Sequence, residues 1–349
     1  MKENKTIGRV AATDVSMEEK VSFLKQPAAY SCMGVRVKVK ETHMSWVFLV
    51  DDVAYKLKKP VVNRLFDFRT LEARLENCRE EVRLNRKLAS DIYLGIVSLT
   101  VSQSGKLQIE KAGKIVDWLV KMKRIPEKNM LDYGILHDSI DEINLKHVAR
   151  LLTEFYKRSA PVPMTMPEYI KKLEAEILFN YNELSLPLFE LSPLLLSELK
   201  AGQMAFLKEN HSLFNERVKS NKIIEAHGDL RPEHICLGPS PAIIDRLEFN
   251  KELRIMDIAE ELSFLSMECE MMGNRTAGQI FLGEYIKITN DIIPPSLITF
   301  YKIKKACLRA YLVARHKEED RYKDDPKWLA RTTAYLKLGE SYYKTLMAA

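Results

Sequence analysis

Two acids define the chemistry open to this chain of 349 residues. Asp229 closes the run His227-Gly228-Asp229, and Asp245 follows the apolar run Ala242-Ile243-Ile244. Between them, His234-Ile235-Cys236-Leu237 and Ala242-Ile243-Ile244 flank Gly238-Pro239-Ser240-Pro241, turn-forming residues through which no helix continues. Residues 223–250 therefore read as a small β-hairpin with a carboxylate at each end. Hard divalent cations such as Mg²⁺ take oxygen ligands, and a carboxylate that also orients a hydroxyl nucleophile would complete the protein's part of a phosphoryl transfer. An ordinary hairpin with solvated acids has the same local pattern. The chemical reading gains on it only if other parts of the chain supply matching pieces.

Such pieces occur, and in a telling order. Val53-Ala54-Tyr55-Lys56 has the V-A-x-K form that delivers a lysine to nucleotide phosphates in protein kinases. Alone, Lys56 followed by Lys58 and Lys59 reads better as a lysine-rich strand edge that resists aggregation. A helix glutamate follows, Glu81 by helix phase or its neighbour Glu80, then a connector at 121–125, then Asp229 and Asp245. Strand lysine, helix glutamate, connector, loop acid and post-hairpin acid is the sequence of parts that a two-lobed kinase requires. Agreement across five parts is much harder to reach by chance than any single match.

The elements that must position these residues can be read from periodicity. Ser16-Met17-Glu18-Glu19 has the capping-box form and opens a short helix that runs to Gln26-Pro27. From Gly34 the pattern becomes two-fold: Val35, Val37 and Val39 alternate with Arg36, Lys38 and Lys40, and strands over 46–50 and 53–57 complete an antiparallel meander. A long helix is expected over 70–89, then strands over 93–101, 106–110 and 115–122, giving a sheet of about five strands interrupted by one helix. Beyond Arg124-Ile125-Pro126 helical spacing takes over, around 140–158, 166–183, 193–218, 254–272, 276–288, 295–316 and 326–347. The fold class is thus α+β: a first lobe of residues 1–122 and a mainly α second lobe of residues 123–349 that contains the hairpin.

Composition narrows the field further. A 46% hydrophobic content builds a core in each lobe, and neither a secretory signal core in residues 1–19 nor a bilayer-length apolar run is present, so a cytoplasmic protein without membrane association is expected. The cysteines, at 32, 78, 236, 269 and 307, are odd in number and lack a C-x-x-C pair, which argues for buried small hydrophobes rather than disulfides or a zinc knuckle. A formal charge of +6 suits an anionic ligand such as a nucleotide, while no basic block is dense enough for nucleic acid.

At these motifs the sequence resembles a family. His227-Gly228-Asp229-Leu230 followed by Ile244-Asp245 is similar to the aminoglycoside-phosphotransferase and choline-kinase-like superfamily, of protein-kinase-like fold, whose members carry H-G-D-x-x-x-x-N and then I-D. Residues 23–30, 41–49, 55–61 and 83–86 resemble a poorly characterised bacterial branch of it, often fused to a P-loop ATPase. No G-x-x-x-x-G-K-[ST] occurs here, so a stand-alone version is expected, with a P-loop ATPase as a partner by analogy. The resemblance implies ATP as cofactor, Asp229 as the residue that orients or deprotonates the acceptor hydroxyl, and Asp245 as ligand of the bridging Mg²⁺. It implies further that Lys56, aimed by Glu81, holds the α- and β-phosphates, and that the backbone of Met122, Lys123 and Arg124 reads adenine. His227 would brace the loop, and Asp257 would open the next helix and support the site, or serve as a solvated or capping acid.

Two departures from the superfamily pattern matter. His234 stands where asparagine is a metal ligand; imidazole suits Mn²⁺ better than Mg²⁺, so His234 alters metal preference, hands coordination to Glu233 or water, or marks loss of turnover. The glycine-rich loop is missing, leaving Thr42 and Ser45 between the first two strands to cover the phosphates with hydroxyls. The leading expectation is ATP-dependent phosphotransfer to a hydroxyl of a small molecule. Its walls would be 254–272, with Asp257, Glu260, Glu261, Glu268 and Glu270, and 302–316, with Arg309 and Arg315; solvated helix faces account equally well for most of these charges. A pseudokinase that binds nucleotide or partner without transfer is the alternative, and a protein kinase or nucleotidyl transferase comes third.

Overall fold

The computed structural model describes residues 15–30, 36–319 and 325–348. Residues 1–14, Cys32, and the Gly34-Val35 opening of the expected first strand lie outside the described residues. Backbone contacts divide the chain into two compact units that meet in sequence at Ile125 and Pro126.

In the first unit the capping box closes in both directions. The Ser16 hydroxyl accepts from the Glu19 N–H (3.1 Å) and the Glu19 carboxylate from the Ser16 N–H (2.8 Å), starting α1 (Met17–Leu24). Val21 and Leu24 then join a core with Phe48, Leu57, Leu99 and Leu119. The alternating runs form β1 (Val37–Glu41), β2 (Ser45–Val50) and β3 (Val53–Lys58), an antiparallel meander. A two-stranded ribbon, β4 (Val62–Asn63) and β5 (Phe66–Asp67), too short to leave a periodic signal, leads to α2 (Leu71–Asn85), capped by the Thr70 hydroxyl.

Then come β6 (Tyr93–Val101), β7 (Leu107–Ile109) and β8 (Lys114–Lys123). Among the described residues the sheet has six strands rather than about five, in the order β1-β2-β3-β8-β6-β7, so β8 inserts between β3 and β6. This insertion overturns the edge-strand reading of Lys56 and Lys58. β3 is an interior strand, and Lys58 is fully buried.

The second unit is built mainly from helices: α3 (Leu131–Leu136), α4 (Glu142–Arg158), α5 (Met166–Leu184), α6 (Pro193–Glu209), α7 (His211–Lys219), α8 (Ile258–Met271), α9 (Arg275–Thr289), α10 (Pro295–Ala314) and α11 (Pro326–Met347). Two sequence expectations change. The single helix over 193–218 breaks at Asn210, whose N–H and side-chain amide both donate to the Phe206 carbonyl (3.1 and 2.9 Å) and close α6 there. The helix expected from Arg254 starts only at Ile258, because Ile255–Asp257 is β12, paired antiparallel with β9 (Ile223–Glu225). The hairpin is present as β10 (Ile235–Cys236) against β11 (Ala242–Ile243). Stacked and edge-on contacts among Tyr169, Phe206, Phe214 and Phe300 fill the interior where α5, α6, α7 and α10 meet. Among the described residues, no helix is long and apolar enough to cross a membrane. Cys78, Cys236, Cys269 and Cys307 are buried free thiols.

Candidate active site

The loop after β9 is held from below by groups that face away from solvent. Gly228 takes φ +91°, a left-handed conformation, and a Cβ there would lie 3.0 Å from Arg254 Cγ and 3.2 Å from Leu247 Cβ. Its N–H donates to Glu261 Oε1 (2.7 Å), whose other oxygen accepts from the Tyr156 hydroxyl (2.7 Å). Burial raises the Glu261 carboxyl above its ordinary pKa, partly offset by these bonds. His227 donates through Nε2–H to the Ile244 carbonyl (2.9 Å), and its Nδ1 accepts from the Asp229 N–H (3.3 Å). Burial first, then the charges of His234 and Arg246, lower its pKa to about 3, so this imidazole is a neutral brace. The guanidinium of Arg246, itself buried, donates to the carbonyls of Ala226 (2.7 Å) and Glu225 (3.1 Å).

On this floor stand Asp229 and Asp245, with side chains 31% and 43% exposed. Burial pushes the Asp229 carboxyl up, but the charges of Arg231, His234 and Arg309 outweigh it and leave it below the usual carboxylate value. Asp245 takes φ 63° just beyond the hairpin. His234, in a 3₁₀ turn over Pro232–His234, lies between the two acids. Its Nδ1 meets the Asp229 carbonyl oxygen (2.8 Å), and its Nε2 meets the Arg231 guanidinium (3.3 Å) and lies 3.6 Å from Asp245 Oδ2. A carbonyl only accepts, so Nδ1 carries a proton toward the Asp229 carbonyl, and the Arg231 guanidinium stands against the Nε2 edge. Arg231 also lies 3.1 Å from Asp229 Oδ1 and 2.7 Å from Glu233 Oε1.

Among the described residues, no three His, Cys, Asp or Glu side chains converge on a metal-holding cluster. Mg²⁺ is commonly held by one or two carboxylates together with substrate phosphates and waters, and the half-exposed oxygens of Asp245 fit that use. His234 does not fit it in this arrangement, since a guanidinium already faces its available nitrogen.

The first unit holds the other candidate group. Lys56 donates to Glu81 Oε1 (2.9 Å), and Lys58 pairs with the other oxygen of the same carboxylate. Glu80 instead pairs with Arg83 on the outer face of α2 (2.7 Å). The Thr42 hydroxyl donates to the Ser45 carbonyl (3.1 Å) and accepts from its N–H (3.0 Å), while the Ser45 side chain is buried. The Thr42 hydroxyl thus shapes the β1–β2 turn rather than pointing outward from it, and the Ser45 hydroxyl is buried with no hydrogen-bond partner among the described residues. Met122 lies in β8 opposite Ala54, the Lys123 N–H donates to the Ile92 carbonyl (2.9 Å), and the Arg124 N–H donates to Asp52 (2.7 Å). Those two donors are already engaged within the sheet and its margin.

The charged walls expected on α8 and α10 are corrected by their partners. Asp257 is no solvated acid: it is buried, caps α8 through the Ala259 N–H (2.8 Å), and takes a two-point pair from Arg217 (2.8 and 2.7 Å). Glu260 pairs with Lys304 and Lys305 (both 2.8 Å), Glu268 with Arg309 (3.1 Å), and Glu270 with Lys302 (2.5 Å). Only Arg315, paired with Glu318, keeps the surface character expected of this group.

No family model matches the chain. It is 31% identical over 284 residues to an uncharacterised protein of Mycobacterium tuberculosis, a match that covers 78% of this chain and 54% of that one. The chain thus spans about half the length of the curated relatives it matches. Among solved structures, the choline kinase LicA from Streptococcus pneumoniae superposes with TM-score 0.54 at 14% identity, covering 94% of this chain and 100% of the other. The chain has the choline-kinase and aminoglycoside-phosphotransferase fold. A thermostable mutant of the aminoglycoside phosphotransferase APH(4)-Ia gives TM-score 0.51 at 9% identity, over 91% and 98% of the two chains. In this protein-kinase-like α+β fold, sequence reasoning gave no site role to Arg231, Arg246 or the buried Lys58. For Lys58 a signal was present: in Lys56-Leu57-Lys58 the two lysines are two apart on a strand and therefore share a face.

Proposed function

We propose that the chain is an ATP-dependent phosphotransferase that moves the γ-phosphoryl group to a hydroxyl of a small molecule. One observation carries the reading. Two partly exposed carboxylates, Asp229 and Asp245, stand at the ends of a loop and hairpin whose backbone is held by buried His227, Glu261 and Arg246. A site that must present charge in a fixed geometry needs such rigid support.

On this reading Asp229 accepts a hydrogen bond from the acceptor hydroxyl and takes its proton as the oxygen bonds to the γ-phosphorus. The bond from that phosphorus to the β,γ-bridging oxygen breaks, and ADP leaves with the electron pair. His227 keeps the Asp229 backbone in place and stays out of the chemistry. Asp245 is the residue that would hold Mg²⁺ or Mn²⁺, and such an ion supplies charge neutralisation between the phosphates. Lys56, aimed by Glu81, holds the α- and β-phosphates. Adenine is read by the backbone of Met122 to Arg124 through groups other than the two engaged N–H donors, and Thr42 and Ser45 act as turn formers beneath the phosphates.

The pseudokinase reading is favoured by one specific observation: Arg231 lies against the carboxylate proposed as the base and also faces His234. ATP consumption with and without a panel of hydroxyl acceptors separates the two. Acceptor-dependent ADP release that vanishes in Asp229→Asn supports transfer. Nucleotide binding without turnover across the panel supports the alternative, and mass spectrometry of the chain after incubation with ATP tests for self-modification by a protein kinase or nucleotidyl transferase.

A further inference from the structure

The Glu81 carboxylate is buried in α2 and carries two ammonium groups where one would neutralise it. Both come from the same face of an interior strand, and they differ in their access to solvent. The Lys56 side chain is 13% exposed, whereas that of Lys58 is 1% exposed. Taking an ammonium group out of water is costly, so a second one at a site already paired calls for a physical reason.

That reason lies in what a phosphate-holding lysine has to do. If Lys56 turned from Glu81 toward an anion, a carboxylate with Lys56 as its sole cation would be left buried and uncompensated, a state that strongly disfavours the move. With Lys58 on the other oxygen, the carboxylate keeps a counter-ion throughout. Nearby Cys78 does not compete as an anion, since burial pushes its thiol up to about 12. Lys58, sealed from solvent, is in no position to meet the ligand itself.

We propose that Lys58 is a positioning residue that retains Glu81 and so releases Lys56 to a nucleotide phosphate. This inference rests on the reading of the first unit as a nucleotide-phosphate grip, and it assigns to a buried lysine a role that the strand motif gives only to its neighbour. Lys58 acts through Glu81 and Lys56 and touches no reacting atom.

The test is calorimetric titration of the full chain with ATP and, separately, with adenosine, which lacks phosphates. Lys58→Met is expected to weaken ATP binding by about tenfold or more while adenosine affinity stays within about threefold of wild type. Lys58→Arg, which keeps the cation, is expected to retain ATP binding. In the Glu81→Gln background the carboxylate no longer needs a counter-ion, so adding Lys58→Met should change ATP affinity by less than about threefold. A folded Lys58→Met chain that binds ATP like wild type overturns the proposal. If that variant does not fold, the double variant decides: ATP binding about tenfold weaker than in Glu81→Gln alone means that Lys58 acts independently of Glu81, and the proposal fails. Wild type that binds neither ATP nor adenosine refutes the nucleotide reading, and the Lys58 role falls with it. The wild-type titration therefore tells the two failures apart.

Discussion

The second unit holds two sets of carboxylates with opposite surroundings. Asp229 and Asp245 sit on loop backbone and keep 31% and 43% of their side chains in solvent, whereas Asp257, Glu260, Glu261 and Glu268 are buried around α8. The buried set is committed to Arg217, the Lys304 and Lys305 pair, Tyr156 with the Gly228 N–H, and Arg309. Carboxylates so fully engaged hold helices together. Those on the loop are placed by backbone bonds and retain the accessibility that chemistry needs. An acidic residue in a kinase-like helical unit is therefore informative only once its partners are known.

The contrast can be tested at its strongest point first. Asp229→Asn is expected to lower acceptor-dependent ATP turnover by about 10²–10⁴-fold and to leave the unfolding midpoint near that of wild type. A small rate effect, or a large loss of stability, would erase the distinction between the two sets. Glu260→Gln should do the reverse. It leaves buried Lys305 without its paired carboxylate, while Lys304 keeps Glu176, and is expected to cost about 3–5 kcal/mol in denaturant unfolding.

Gly228 connects the two regions, since its N–H donates to buried Glu261 one residue before Asp229. Gly228→Ala meets both the left-handed backbone and the close Arg254 and Leu247 side chains, and is expected to cost about 1–3 kcal/mol by the same measurement. Turnover should fall along with stability.

The effect that only acid reveals concerns His227. Burial, with the charges of His234 and Arg246, depresses the folded pKa of His227 to about 3 from the ordinary imidazole value of 6.5. Between those values the unfolded chain binds a proton that the folded chain does not, so this contribution is fully present above pH 6.5 and is lost as pH falls toward 3. At pH 5 the loss amounts to about 2 kcal/mol, from roughly 1.4 kcal/mol per unit. Unfolding curves of wild type and His227→Asn, measured across this window, should show a flatter pH dependence in the variant.

Much of the fold was legible because its signals are local. The Ser16–Glu19 box, the valine alternation before β2 and the Gly-Pro-Ser-Pro turn each report on a few neighbouring residues. What escaped depends on partners distant in sequence. The insertion of β8 between β3 and β6 makes Lys58 interior, and nothing within β3 announces it. Ile255–Asp257 carries spacing that continues into α8, yet it is extended because β9 pairs with it. The acids of α8 and the cations of α10 look like solvated faces when each is read alone, and only their packing against one another shows that they are buried. In the candidate site the spacing picked out Asp229, Asp245, Lys56 and Glu81. Arg231 was given no role of its own, and its meeting with His234 depends on the 3₁₀ turn over Pro232–His234.

Of the two exposed carboxylates, Asp245 stands on left-handed backbone, at φ 63°. Asparagine and glycine enter that region about as readily as aspartate, whereas β-branched residues resist it. Asp245→Asn is thus expected to unfold at the wild-type midpoint and Asp245→Val well below it. For a lineage under relaxed selection, the substitutions that keep this hairpin are also those that remove its charge. Descent from a phosphate-transferring ancestor to a folded, non-transferring relative would require one codon change here and would leave little trace in the shape of the protein.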